Sequence, residues 1–267
     1  MLEYVSHYFN IKNNVVEKNF KVNSNKFTYD ILYDYSPLLK LPDSIEEFKS
    51  SHKGKFWYNL RRSKKIFNNE VGEFMFEKYY DQDAFLYLDD LRKIFLDKWK
   101  NSYTSFSWKS KSGFDKFKSE IKKIIIKNPS SFEISLFKLK NDNTIIAFSI
   151  GFILKGTYYF YMHNINVNYN KPSYSLGTLF LEELITSFIA KPNLKTFDFM
   201  TGLNPYKLKW TKDIKPIFWR VETKKKLIYL PFHFFKIFFF SLKIKFQKNT
   251  FTSRYLKNIF LIMYNNR

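Results

Sequence analysis

Four side chains in the second half of the chain are the strongest candidates for acid–base chemistry. Asp198 lies between two phenylalanines, where a carboxylate can act as a base or orient an amine. Tyr206 can relay a proton, Lys207 supplies a cation, and His163 can act as a base. A structural role stays open for each of these residues. Asp198, for example, can also be a buried carboxylate bonded to backbone or to Lys207.

A candidate anion site precedes these residues in the chain. The loop 168–174 leads into a predicted helix start formed by Ser175, Leu176, Gly177 and Thr178, with Ser175 as its cap. First-turn N–H groups are unpaired and favour negative charge, Gly177 leaves them open, and Lys171 adds a cation. The sequence therefore predicts a phosphate site, and the alternative is a crossover helix whose small residue eases packing. The stretch lacks GxxxxGK[ST] and GxGxxG, which excludes a Walker loop and a dinucleotide fingerprint.

Regular elements must hold these side chains in place. The apolar four-residue spacing of Leu176, Phe180, Leu184 and Phe188 predicts an amphipathic helix. Ser44 with Glu47 fits a capping box at another helix start. Three strands in a row before the central helix, and further strands around it, indicate a mixed α/β layer structure. The predicted elements are strands Lys26–Tyr35, Glu73–Tyr80, Phe132–Leu139, Thr144–Leu154, Tyr158–Val167, Lys195–Met200 and Ile217–Lys224, and helices from Ser44 to Ser50, Lys55–Asn68, Asp83–Trp99 and Phe114–Lys127, with a turn-rich link at Ser36–Pro42.

Two further segments are candidates for substrate binding. The helix Lys55–Asn68 carries Arg61 and Arg62, which form either a solvated basic face or a clamp for phosphates. The polar linker Lys100–Ser112 contains Trp108 and can be a mobile loop over the substrate.

The motif FDFMTGLNPYKLKW, with Asp198, Gly202, Tyr206, Lys207 and Trp210, resembles the GNAT superfamily of acyltransferases. It is most similar to the CelD/BcsL-like branch, which is related to the FemAB aminoacyltransferases. That branch pairs a serine/glycine helix start with a strand ending D-x-x-x-G and a following Y-K-x-x-[WF]. Leu41–Phe67 looks like its arginine-rich helix, so the resemblance covers Pro37 to Val221.

The resemblance implies a GNAT-like fold, with helices on both faces of a mixed, mostly antiparallel sheet. It implies acyl-CoA, such as acetyl-CoA, as the co-substrate, with the pantetheine arm along Tyr158–Val167 and the pyrophosphate at Ser175–Thr178. Lys207 would then stabilise the oxyanion or a phosphate. The implied acceptor is an amine, in this branch an amino sugar in glycan or cell-surface polysaccharide synthesis.

Two other classes compete with this interpretation. The formal charge of +21, from 45 Lys and Arg against 24 Asp and Glu, implies an anionic partner. It fits an aminoacyl-tRNA-dependent transferase of the Fem type, although those enzymes usually carry two such domains. It also fits a basic nucleic-acid-binding protein, but no helix-turn-helix, finger, RRM or KH signature accompanies the charge.

Composition narrows the remaining possibilities. The chain has no Cys, which excludes disulfides and a thiolate nucleophile, and four scattered His without HExxH make a metal site an unexpected feature. No signal peptide or membrane span is evident, so we expect a cytoplasmic protein. We expect an acyltransferase domain over residues 1–225. The basic aromatic tail, 226–267, would be helical and pack on that domain or lie on an anionic membrane surface.

Overall fold

The computed structural model describes residues 21–23, 26–101, 107–189, 191 and 193–224. Leu32–Phe218 belong to the larger of two compact units, and the smaller unit includes the described residues 21–23, 26–31 and 219–224. The predicted tail, 226–267, lies outside the described residues, and its two placements stay predictions.

Six α-helices and eight strands are assigned within the described residues. The helices are α1 (Ile45–Ser50), α2 (Gly54–Glu70), α3 (Asp81–Phe85), α4 (Leu88–Trp99), α5 (Lys111–Lys127) and α6 (Leu176–Ile189). The strands are β1 (Lys21–Asn23), β2 (Lys26–Lys40), β3 (Phe74–Tyr80), β4 (Phe132–Leu139), β5 (Ile145–Leu154), β6 (Thr157–Ile165), β7 (Thr196–Asp198) and β8 (Ile214–Lys224).

The sheet of the larger unit has the order β2-β7-β6-β5-β4-β3, and β8 also pairs with β2. Every adjacent pair along this order is antiparallel except β6 and β7, which run parallel. The parallel pair is joined through α6, as a crossover connection requires. The predicted mixed, mostly antiparallel sheet with helices is therefore confirmed.

Apolar side chains cover both faces of this sheet. On one face α2 and α6 pack around Phe137, Phe180 and Phe197, and on the other α4 and α5 pack around Phe95 and Ile150. The α6 helix contributes seven buried side chains. Their apolar spacing is the pattern that predicted this helix from the sequence. The fold thus presents β6 with α6 on one side and the α4–α5 layer on the other.

Three predicted boundaries are wrong. The link Ser36–Pro42 is strand through Lys40, because its backbone pairs with β7 over Leu38–Lys40. The single helix predicted from Asp83 to Trp99 is two helices, α3 and α4. The α5 helix begins inside the predicted linker, where the Ser110 hydroxyl accepts a hydrogen bond from the Gly113 amide at 3.0 Å. By contrast, the Ser44 cap is confirmed, with its hydroxyl 3.1 Å from the Glu47 amide.

Candidate functional site

The parallel strands β6 and β7 diverge and leave an opening in the sheet. Their ladder has three pairs and ends at Tyr159 opposite Asp198, whereas β6 continues to Ile165. After Asp198 the chain turns toward β2, where the Phe199 amide donates to the Pro37 carbonyl at 3.0 Å. The backbone of β6 beyond Tyr159 therefore has no strand partner on this side among the described residues.

A β-bulge lies in the part of β6 that pairs with β5 but has no strand partner on the β7 side among the described residues. Gly151 of β5 is opposite Phe160, but Ile150 is opposite Met162, so Tyr161 is an extra residue. Tyr161 stacks on Phe117 of α5, and Met162 packs in the same α4–α5 layer. Tyr161 and Met162 thus both face the α4–α5 layer. The alternation of side chains shifts by one residue, so that His163 faces α6.

The α6 helix starts beside the opening with a left-handed residue. Ser175 has φ +46°, and its carbonyl accepts from the Thr178 and Leu179 amides at 2.8 and 3.1 Å. Ser175 therefore occupies the predicted cap position, but its hydroxyl donates to the Pro172 carbonyl at 3.5 Å instead of accepting from an amide of α6. The amides of Leu176 and Gly177 have no partner among the described residues, and this first turn can bind an anion.

Gly177 packs closely against β6. A Cβ at this position would lie 3.3 Å from His163 Cε1 and 3.3 Å from Ile165 Cδ1. The side of Gly177 that would carry a Cβ therefore faces β6, and the missing side chain lets the start of α6 approach the strand. This packing role is the alternative that the sequence left open.

The predicted cation Lys171 is paired with a carboxylate of α2. Lys171 Nζ is 3.1 Å from Glu70 Oε2, and the Tyr174 hydroxyl donates to the same oxygen at 2.8 Å. These two hydrogen bonds lower the pKa of Glu70. Lys171 thus ties the loop to the end of α2.

Arg61 and Arg62 are exposed on α2. Helix α2 runs along α6, where Lys64 Nζ lies 3.3 Å from Glu183 Oε1. Glu183 is seven residues into α6, about 10 Å from its first turn at 1.5 Å per residue. Burial raises the pKa of Glu182, and the positive charge of Arg61 opposes that shift. The charge of Arg61 therefore acts on the middle of α6.

Asp198 and Lys207 anchor the turn that follows β7. The buried Asp198 Oδ1 accepts from the Ser36 hydroxyl and from the Met200 amide at 2.8 Å, and Lys215 Nζ lies 3.6 Å from Oδ2. Lys207 Nζ donates to three carbonyls of the turn, at positions 199, 200 and 201, over 2.7, 3.3 and 2.7 Å. Burial lowers the pKa of Lys207 to about 8 against the attraction of Asp34 and Asp198. All three ammonium protons are therefore used inside the protein.

The remaining predicted residues occupy different environments. Tyr206 is half-buried against the α2–α6 core, and burial raises its pKa to about 12. Burial, followed by the nearby Lys98, lowers the pKa of His163 to about 3, so its imidazole is neutral near pH 7. Trp108 is fully buried among α4 and α5, and its carbonyl accepts from Arg92 Nε at 3.0 Å. In this position Trp108 offers a substrate no surface.

Sequence reasoning missed two groups of buried polar residues. Ser36 was assigned to a turn, although its hydroxyl bonds a carboxylate 162 positions away. Glu133, Ser135 and Ser149 are fully buried in β4 and β5. Polar residues at alternate positions of an otherwise apolar strand, as in FEISLFKL, are the signal that was available.

Two buried lysines make stability depend on pH. Burial lowers the pKa of both Lys78 and Lys207 to about 8, whereas the usual lysine value is 10.5. Between these pH values the unfolded chain binds more protons than the folded chain, so stability rises with pH. We expect urea denaturation at constant ionic strength to give a higher free energy of unfolding at pH 9.5 than at pH 7.5. Lys78→Met should reduce this rise, and a flat or falling curve for the unchanged chain would contradict the assignment.

The described residues contain neither a membrane-spanning helix nor a cluster of metal ligands. None of the helices there has both the length and the apolar character to cross a membrane. Likewise, no three or more His, Cys, Asp or Glu side chains gather there as a metal ion would need.

A family model described as an acetyltransferase (GNAT) domain matches residues 54–208. No curated protein matches the chain in sequence. Solved structures with similar folds include L-PGS from Bacillus licheniformis (13% identity, TM-score 0.48, covering 77% of this chain and 64% of that one). FemX (9%, 0.35, 72% and 62%) and a tandem GNAT protein from the clavulanic acid biosynthesis pathway (8%, 0.39, 81% and 55%) are also similar. The chain spans less than two thirds of each of these proteins.

Proposed function

Because the chain belongs to the GNAT family of acetyltransferases, we propose that it transfers an acyl group from acyl-coenzyme A to an amine. The divergence of β6 from β7 is the observation that carries this proposal. The unpaired β6 backbone can bond the amide groups of a pantetheine arm, as one strand bonds another. Diphosphate oxygens then meet the Leu176 and Gly177 amides at the start of α6.

The reaction needs two proton movements. The acceptor nitrogen forms a bond to the acyl carbon and loses a proton, and the bond from that carbon to sulfur breaks. The departing thiolate takes a proton. Tyr206 is the donor we assign for this step, because a hydroxyl with a pKa of about 12 stays protonated at neutral pH. Unpaired amides in the bulged part of β6 can stabilise the tetrahedral oxyanion.

Asp198 and Lys207 are positioning residues in this proposal. Both are buried, and their charged atoms bond the turn between β7 and Tyr206. This arrangement favours the structural alternative for Asp198 over a role as base. It also leaves Lys207 no free proton for an oxyanion.

The acceptor is assigned by resemblance, as an amino sugar used in glycan or cell-surface polysaccharide synthesis. An aminoacyl-tRNA donor is the second candidate, and the formal charge of +21 favours it. A panel of nucleotide-linked amino sugars and amino acids, assayed with acetyl-coenzyme A, tests the first assignment. Transfer from aminoacyl-tRNA without transfer from any acyl-coenzyme A would replace it with the second.

Changing Ser175 to Asp should weaken coenzyme A binding at least tenfold. The new carboxylate would stand at the start of α6, where the diphosphate is placed. Like charges about 4 Å apart near a protein surface repel by about 4 kcal/mol, which is more than the roughly 1.4 kcal/mol of a tenfold change. Ser175→Asn is the matched control, because it has the same shape without the charge and tolerates the left-handed backbone. Titration calorimetry with coenzyme A measures both. Equal coenzyme A affinity in the two folded variants would show that the diphosphate does not bind at the start of α6.

A further inference from the structure

A row of polar side chains crosses the sheet beneath α6. Lys78 of β3 is opposite Ser135 of β4, Ser135 is opposite Ser149 of β5, and Ser149 is opposite His163 of β6. Residues directly opposite in adjacent strands point to the same face, with Cβ atoms about 5 Å apart. The bulge at Tyr161 brings His163 into this row, because it turns the histidine toward α6. The row therefore ends at the opening between β6 and β7.

The far end of the row holds a buried ion pair. The Ser135 hydroxyl donates to Glu133 Oε1 at 2.8 Å, and Lys78 Nζ lies 3.3 Å from Glu133 Oε2. Lys78 also donates to the Ser187 hydroxyl of α6 at 2.8 Å. Glu133 is fully buried, whereas the Lys78 side chain is 13% exposed at the sheet edge. This end thus connects the interior carboxylate to solvent.

The near end of the row has polar atoms without partners. Ser149 Oγ, Tyr158 OH and His163 Nε2 are buried and form no hydrogen bond of normal geometry among the described residues. Ser149 is nevertheless close enough to Tyr158 to offset part of the rise in the tyrosine pKa that burial causes. Tyr158 lies across Gly151, where a Cβ would be 2.2 Å from its hydroxyl, and Gly151 is opposite Glu133. Such atoms are costly to bury unpaired, and ordered water usually satisfies them.

We propose that buried water joins Ser149 both to His163 and to Ser135, and so completes a proton-transfer row from the opening, through Ser149, Ser135 and Glu133, to Lys78 at the sheet edge. The inference rests on the proposed acyl transfer. The acceptor nitrogen gives its proton to one nitrogen of the imidazole, and the other nitrogen releases a proton to the water. Each group in the row passes one proton on, and Lys78 releases an ammonium proton to solvent and takes the proton that reaches Glu133 in its place. The imidazole thus returns to its neutral form, and Glu133 and Lys78 return to their charged forms.

The charges around His163 support this direction of transfer. On α4, Lys98 opposes protonation of the imidazole, and from α6 Gly177 and Phe180 approach it without charge. The Glu133 carboxylate is the negative group in the row, and Lys78 partly balances it. A hydrogen-bonded link to Glu133 therefore raises the pKa of His163 from the low value that burial and Lys98 impose.

Changing Ser149 to Ala tests the row in the full chain. We expect kcat with acetyl-coenzyme A to fall about tenfold, less than the roughly 100- to 10,000-fold of a general acid or base, because Ser149 only relays the proton. NMR titration of the His163 ring should show a lower pKa than in the unchanged protein. Thermal stability should change little, because no protein group loses a hydrogen-bond partner when the Ser149 hydroxyl is removed. Ser149→Thr, which restores the hydroxyl, should recover the pKa and most of kcat.

Ser131→Ala is the matched control, because Ser131 is also a buried serine without a partner but lies outside the row. It should change neither the pKa of His163 nor kcat. Glu133→Gln, which keeps the shape, gives the same test if Ser149→Ala does not fold. An unchanged His163 pKa in both row variants overturns the proposal. If the His163 pKa shifts in the row variants but the unchanged protein transfers no acyl group, the row is supported and the proposed function is contradicted.

Discussion

Lys207→Met should lower the free energy of unfolding by about 3 kcal/mol and slow acyl transfer more than tenfold. Methionine fills the space of the side chain but leaves three carbonyls without donors, and each lost partner costs about 1–3 kcal/mol when it is buried. The loss is a large part of a typical total of about 5–15 kcal/mol. The same turn leads to Tyr206, so loosening it displaces the proposed proton donor.

Lys209→Met is the control for that experiment, because Lys209 is exposed two residues further along. Its effect on unfolding should stay within about 0.5 kcal/mol. Urea denaturation measures stability, and acetyl transfer measures turnover. A Lys207 variant that keeps its stability but loses turnover would contradict the anchoring role and restore the oxyanion role that the sequence suggested.

The central elements were predictable because their signals are local. The apolar spacing of α6 and the β-branched and aromatic run of β6 each lie within one segment and decide its type. The link Ser36–Pro42 was mistaken for a turn because serine and proline favour turns. Its strand conformation depends on pairing with β7, and on a hydroxyl partner at Asp198 that no local pattern can indicate.

The positions of the predicted site residues follow from local signals, whereas their contacts do not. Gly177 lies at the helix start as predicted, but what its open side faces depends on the register of β6, which the Tyr161 bulge shifts. Lys171 was assigned to a phosphate because Glu70, its partner, is 101 positions away. Charge partners and register are tertiary facts, so the sequence could indicate a site without dividing it into binding and anchoring residues.

Tyr206→Phe should lower kcat about 100-fold, as expected for loss of a general acid, with little change in stability. The hydroxyl is the only group removed, and the ring keeps its packing against the α2–α6 core. Because the pKa of Tyr206 is about 12, the unchanged enzyme should show no loss of rate from tyrosine ionisation below pH 10. Initial rates at saturating acetyl-coenzyme A, measured from pH 7 to pH 10, test both statements.

Tyr169→Phe is the matched control for this prediction. Tyr169 is also a half-buried tyrosine against the same core, and it lies in the loop between β6 and α6. The control should keep kcat within about twofold, since its hydroxyl has no part in the proposed proton transfer. If Tyr206→Phe also stays within twofold at saturating substrate, the thiolate receives its proton from another group or from water. Tyr206 would then be a packing residue of the turn, held in place by Lys207.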